Sequence, residues 1–432
     1  MDNEVEGLYG PRVLALVLAG GKGTRLWPLT RYRAKPAVPI FGKYRIIDFV
    51  LSNLVNSGVF SIYVLTQYRA QSLADHIEQG WQLGPALRSR DFFVSLAPAQ
   101  MWTGEHWYQG TADAVYQNLH LVATFDADEI LIFSADHVYK MDVGQMMEWH
   151  RLMGAEVTVA VMPVPRQEAH RFGVVQVDED GWIRRFVEKP RENPPTMPGD
   201  PSRCLVSMGN YIFRRETLEA ALLEDARRPD SSHDFGQDIL PRLVASGTRV
   251  AAYNFETNRI PGEPRPYWRD VGTLFAYWEA HMETLHPERG GLNLYNPRWP
   301  IRTVSFRDPP ALVTSAGGVK PTFEESLVAE GARVYGAEVI RSVIGRGVVV
   351  EPGAHIEESI LFYGVRVQKG ARLRRVIVDK RRVIEAGTAI GYDPEQDRAR
   401  GYHVTREGIV VVPAGPPKLR LNRPWPEDEG RP

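Results

Sequence analysis

The chain has 432 residues, 43% hydrophobic and 24% charged, with a formal net charge of −1. That length exceeds one ordinary core and predicts two domains, and the composition excludes a disordered or membrane-spanning chain. Balanced charge leaves no footprint for nucleic acid or an anionic membrane, the lone Cys204 excludes an internal disulfide, and the start MDNEVEG, with no basic stretch leading into an apolar run, points to a cytoplasmic protein.

Residues 12–19 (RVLALVLA) form a continuous apolar run, the pattern of a parallel strand buried on both faces. Gly20-Gly21-Lys22-Gly23-Thr24-Arg25-Leu26 follows at once. Glycines admit positive φ and let backbone N–H groups approach an anion, and a helix amino end would add partial positive charge, so the loop reads as a phosphate cradle. It is not a Walker loop, because no Gly-Lys-Ser/Thr follows at the needed spacing, nor the dinucleotide fingerprint, because Leu26 stands where a third glycine is needed. A tight strand-to-helix turn is the plainer alternative. Ten residues on, Arg33-Ala34-Lys35-Pro36 supplies cations. Arg25 and Lys35 beside the cradle can neutralise a triphosphate and the charge developing on departing pyrophosphate.

Apolar runs recur at 62–66, 130–134 and 157–162, separated by helix-length stretches such as 111–124 and 142–153. This alternation predicts an open α/β sheet, whose ligands bind beyond the carboxyl ends of the strands. Asp136 stands after one such run and Asp270 at a turn in YWRDVG; two carboxylates converging on triphosphate oxygens would make a magnesium site, although a lone Asp is more often a cap or turn former. Glu188-Lys189-Pro190 ends the run 183–187, where a carboxylate beside an ammonium suits a sugar phosphate, an exposed strand end being the alternative.

Residues 286–310 are rich in Pro, Gly, Asn and Arg and read as a connection. Beyond them one phrase recurs, as Gly331-Ala-Arg-Val334, Gly353-Ala-His-Ile356, Gly370-Ala-Arg-Leu373 and Gly387-Thr-Ala-Ile390, with aliphatics six apart such as Val328, Val334 and Ile340. An inward aliphatic on a six-residue period with a turn glycine marks a left-handed parallel β-helix, against a β-sandwich with turn glycines.

The phrases GGKGTRLWPLT and RAKPAVPIFGKYRIIDF closely resemble the opening of the bacterial ADP-glucose pyrophosphorylases. The resemblance runs through HWYQGTADAV, SADHVYKMD, FGVV, FVEKP, SMGNYIF, SSHDFGQDI, YWRDVGTLFAYWEA and EGIVVV, covering roughly residues 12 to 412. It implies an α/β fold: a Rossmann-like (GT-A-like) nucleotidyltransferase domain over 1–285 with a mostly parallel sheet, a linker over 286–312, and a left-handed β-helix for regulation and oligomerisation, with its tail, over 313–432. It implies that ATP and glucose 1-phosphate become ADP-glucose and pyrophosphate, for α-glucan synthesis. Arg25, Lys35 and Asp136 would be catalytic, with Mg2+ on Asp136 and Asp270. Leu18, Ala19, Gly20, Gly21, Gly23, Thr24, Tyr108, Gly110, Thr111 and Ala112 would line the nucleotide side, with Trp107 on the same loop. Gly173, Glu188, Lys189, Ser207, Asp234 and Asp270 would serve the sugar phosphate. A phosphate monoester is already a dianion near neutral pH, so no general base is assigned. A sugar-phosphate activator, an AMP-like or phosphate inhibitor and a homotetramer are further implications, with Tyr32, Arg33 and Arg400 as the effector residues. Three departures stand out: Ala135 where relatives have Gly, Gln109 where an Arg is common, and Tyr32 where the fructose-bisphosphate-activated members carry Lys. The rival functions are a pyrophosphorylase for UTP, dTTP or GTP, a bifunctional synthase with an acetyltransferase helix, and a catalytically weak regulatory subunit.

Overall fold

The first apolar run becomes the strand Val13–Leu18, in which Leu14, Ala15, Leu16 and Val17 are wholly buried. The computed structural model describes residues 10–82, 92–100, 104 and 106–416; residues 1–9 and 417–432, where the expected first and last units begin and end, lie outside the described residues. Val13–Leu18 runs parallel between Ser61–Thr66 and Glu129–Ser134, and Phe93–Pro98 continues the parallel set. Past Glu129–Ser134 the sheet turns antiparallel through the long strand Arg203–Arg214, reaching nine strands. Strand alternation sends Leu14, Leu16, Ile130 and Ile132 into one apolar cluster and Ala15, Val17, Leu131 and Phe133 into the other, so helices cover both faces.

The stretch 142–153 is a helix, Val143–Leu152, whose N-cap Asp142 accepts from the Gly144 N–H at 2.9 Å. The stretch 111–124 divides into Thr111–Tyr116 and Leu119–Phe125. At the break the Asn118 amide donates to the Ala114 carbonyl at 2.8 Å, a local bond that competes with the backbone ladder.

Downstream, three parallel sheets share repeating coils. Val334, Val350, Val367 and Ile384 stack in one inward column, Phe323, Val339, Ile356, Leu373 and Ile390 in the next, and Val328, Ile344, Leu361 and Val378 in the third. This is a left-handed parallel β-helix, each coil burying its aliphatics against the next. The chain between the two parts is strapped to the first long helix, Ile47–Asn56: the Trp299 indole donates to Asn53, Arg302 N–H to Ser52 and the Thr303 hydroxyl to the buried Asp48. A shared core joins Leu26, Leu29, Ile40 and Phe41 to Val343, Ile360, Phe362 and Ile377, so the β-helix is packed onto the nucleotidyltransferase half.

Candidate active site

The glycine loop opens a cleft of about 520 Å³ at the carboxyl end of Val13–Leu18. Gly23 takes φ of 63°, and a Cβ there would stand 3.0 Å from Lys35 and Thr30 side-chain carbons, so glycine is required on both counts. The helix expected after the loop is only the single 3-10 turn Thr24–Leu26, too short to supply much dipole; the loop's own N–H groups and the Arg25 and Lys35 cations carry that part. Leu18, Ala19, Gly20, Gly21, Gly23, Thr24, Arg25 and Lys35 from the amino-terminal segment line the cleft, with Tyr108, Gly110, Thr111, Asp136 and Asp234.

Ala112 does not line it. That residue is fully buried and its N–H donates to the His233 carbonyl at 2.8 Å; Ala114 is at the wall instead. Trp107 is 55% exposed and outside the lining. Gln109 is exposed, with its backbone N–H on Asp113 at 2.9 Å.

Lys35 is buried, and its Nζ lies 3.5 Å from Asp136 Oδ2. Burial opposes the ionisation of Asp136, but the Lys35 ammonium, His137 and the Ser134 hydroxyl outweigh it and hold the carboxyl well below the usual range. Half of the Asp136 side chain still opens to the cleft. The strand Tyr267–Asp270 pairs antiparallel with His137–Lys140, setting Asp270 opposite His137 and hence next to Asp136. Ala135 is absent from the residues at positive φ, so the methyl in place of glycine adds no strain before this carboxylate. Among the described residues no three acidic, His or Cys groups form a metal cage. Octahedral Mg2+ takes one or two carboxylates and fills its shell with phosphate and water, so the Asp136–Asp270 pair fits a magnesium nucleotide.

Of the residues expected to serve the sugar phosphate, which apart from Asp234 lie outside the lining of that cleft, Gly173 on Gly173–Val177 pairs with Glu188 on Ile183–Glu188. A Cβ on Gly173 or Gly236 would come within 2.8 or 2.7 Å of Glu188 Oε2, so both glycines make room for that carboxylate. Lys189 Nζ sits 2.6 Å from Glu188 Oε1 and is 65% exposed. Ser207 is buried on Arg203–Arg214, its hydroxyl accepting from Gly209 N–H at 3.2 Å. Asp234 serves as a cap, Oδ1 accepting from Gly236 and Gln237 and Oδ2 from Thr111 at 2.9 Å. It thereby ties the nucleotide wall to the turn at 231–236. Two residues here escaped the sequence reading. His233, held by buried Asp225 at 2.8 Å, places the carbonyl that caps Thr111–Tyr116, and Arg171 reaches Asp270 at 2.5 Å. Their neighbours in SSHDFGQDI and FGVV were the available signal.

Tyr32, Arg33 and Arg400, expected at an effector site, are not brought together. Arg31 packs its guanidinium over the Tyr32 ring. Arg33 is 5% exposed and ion-paired with Asp379 at 2.9 Å, while Arg400 donates to the Ala389 carbonyl at 2.6 Å. A separate cleft of about 330 Å³ between the two halves gathers Lys43, Arg45, Arg346, Lys380 and Arg381, and none of the three lines it. Lys380 and Arg381 have no carboxylate partner among the described residues, and burial, with help from Arg33 and Arg45, pulls the Lys380 ammonium down to about 7.

Residues 14–286 match the family described as nucleotidyl transferase, and residues 308–412 one described as GlmU-like, C-terminal hexapeptide. The glucose-1-phosphate adenylyltransferase of Deinococcus radiodurans is 50% identical over 414 residues, covering 94% of this chain and 99% of the relative. Those of Thermus thermophilus and Photobacterium profundum are 51% and 46% identical, each over 93% of this chain and 98% of the relative.

Proposed function

The chain belongs to the nucleotidyl transferases, within the glucose-1-phosphate adenylyltransferases, and from that premise we propose how its residues make ADP-glucose and pyrophosphate from ATP and glucose 1-phosphate. The observation that carries the reading is the convergence of Lys35 and Asp136, 3.5 Å apart, at the mouth of the glycine cradle. The cradle N–H groups and Arg25 hold the triphosphate, and Lys35 faces the phosphorus under attack. An oxygen of the sugar phosphate, already ionised at neutral pH, bonds to the α-phosphorus in line while the bond to the β-phosphate oxygen breaks. Arg25 and Lys35 take up the charge on the leaving pyrophosphate. Asp136 and Asp270 would hold magnesium, which when bound neutralises the triphosphate. Glu188 receives sugar hydroxyls, and Lys189 anchors the phosphate of glucose 1-phosphate.

The cationic cleft between the halves takes the anionic effectors, a phosphorylated activator and its AMP-like or phosphate competitors, in place of Tyr32, Arg33 and Arg400. The first coil leaves Leu312, Val313 and Val319 between 42% and 46% exposed, a face for assembling a homotetramer. The deciding experiment measures pyrophosphate release from glucose 1-phosphate with ATP, UTP, dTTP and GTP in turn. ATP is expected to dominate, and equal turnover with UTP would overturn the base assignment.

A further inference from the structure

We propose that Arg171 is a further substrate-binding residue of this site: it rests on Asp270 in the ligand-free enzyme and turns to the phosphate of glucose 1-phosphate once Asp270 is engaged by a metal. The proposal rests on the reading of Asp270 and Lys189 given above. Arg171 ends the 3-10 turn Arg166–Arg171. The next residue, Phe172, accepts from Lys189 N–H at 3.0 Å, and the one after, Gly173, pairs with Glu188. Its backbone is therefore fixed to the sugar-phosphate side. Its guanidinium reaches the other way, to Asp270 Oδ2 at 2.5 Å, with Glu168 more distant at 3.9 Å.

The pair is partly open to solvent, with side-chain exposures of 33% for Arg171 and 15% for Asp270, whereas the Arg33–Asp379 pair is closed at 6% and 1%. An open pair contributes little and rearranges readily. A divalent cation on Asp270 would draw charge from the carboxylate and set a second positive charge beside the guanidinium, which weakens the pair and frees a planar fork of N–H donors suited to phosphate. Lys189 behaves alike, resting on Glu188 at 2.6 Å. Each sugar-side cation is parked on a carboxylate of the site, ready to exchange it for an anion.

The test uses the full chain with Arg171→Ala, Arg171→Lys and Asp270→Asn, each first checked for a parental melting curve. Binding of Mn2+ alone is followed by water-proton relaxation, and steady-state constants are measured for both substrates. Arg171→Ala is expected to bind Mn2+ about two- to fivefold more tightly, since a competing open ion pair has been removed. The same variant should raise KM for glucose 1-phosphate about tenfold or more, a charged hydrogen bond being lost, with KM for ATP little changed. Arg171→Lys should fall between it and the parent in both measurements. Unchanged or weaker Mn2+ binding in Arg171→Ala, or equal rises in both KM values, overturns the proposal. If Asp270→Asn binds Mn2+ as the parent does, the reading of Asp270 itself falls; if it loses Mn2+ while Arg171→Ala gains none, only the role of Arg171 falls.

Discussion

Two clefts in this molecule gather lysine and arginine, yet they differ in how fully those cations are paired. In the catalytic cleft Lys35 meets Asp136, and beside it Lys189 meets Glu188 and Arg171 meets Asp270. In the cleft between the halves Lys43 pairs with Glu330 at 3.3 Å and Arg346 with Asp308 at 2.9 Å, but Lys380 and Arg381 form no ion pair among the described residues. Carboxylates are needed where a divalent cation and pyrophosphate must come and go, because they hold the cations in place between turnovers. A regulatory anion needs only unsatisfied positive charge. The first site is therefore organised before its ligand arrives, while the second keeps Lys380 buried beside Arg33 and Arg45, a charge that a bound anion would offset.

The largest effect should come from the carboxylates of the first cleft. Asp136→Asn should lower turnover on the order of 10² or more, as expected when a charged group stabilising the transition state is removed. Normal turnover with a normal melting curve would show that the catalytic cleft does not depend on its carboxylates. Next, Lys189→Ala should raise KM for glucose 1-phosphate roughly tenfold, with KM for ATP little altered.

The second cleft is distinguished by pH. Burial places Lys380 near 7, well under its value in an unfolded chain, so the native state binds fewer protons between about 7 and the ordinary lysine range. Stability should rise with pH across that window, and the penalty should be fully present below it. An anion restores the ammonium, so effector binding takes up a proton above about pH 7. The activation constant should therefore climb with pH there, by at most about tenfold per unit, and Lys380→Met should flatten that profile without changing basal KM values. A flat profile in the parent enzyme would break the distinction between the clefts. Smallest of all is Tyr32→Lys. With Tyr32 outside the cleft and under Arg31, its effect on activation should stay below about twofold, the worth of a screened surface charge.

The first cleft was legible because its parts are contiguous. Leu18 through Arg25 is one phrase, Lys35 is ten residues on, and Glu188 and Lys189 are neighbours. The β-helix was legible for a related reason: each coil repeats the same inward aliphatic, so the period is written along the chain. The second cleft draws Arg45, Arg346 and Lys380 from distant segments, and no local spacing signals that meeting. Arg33 looked like a free cation because its partner Asp379 is on a coil of the β-helix. Ala112 looked available because a helix start was read without its cap, which the His233 carbonyl provides. The glycine loop promises a helix after it, but the turn at 27–32 ends Thr24–Leu26 after a single 3-10 turn.

The Arg33–Asp379 pair has a further consequence, in time. Its two members are separated by 346 positions. At ordinary synthesis rates a ribosome needs roughly 20 to 70 s to travel that far. For most of that interval the segment bearing Lys35 is already made, but the buried seat of Arg33 does not yet exist. The nascent amino-terminal half must wait with a guanidinium in water and with Phe41 and Ile40 lacking the coils that will cover them. Completion of the end that carries the glycine loop is thus tied to the β-helix made long after it, and a truncated product released early would carry the loop without the contacts that close it.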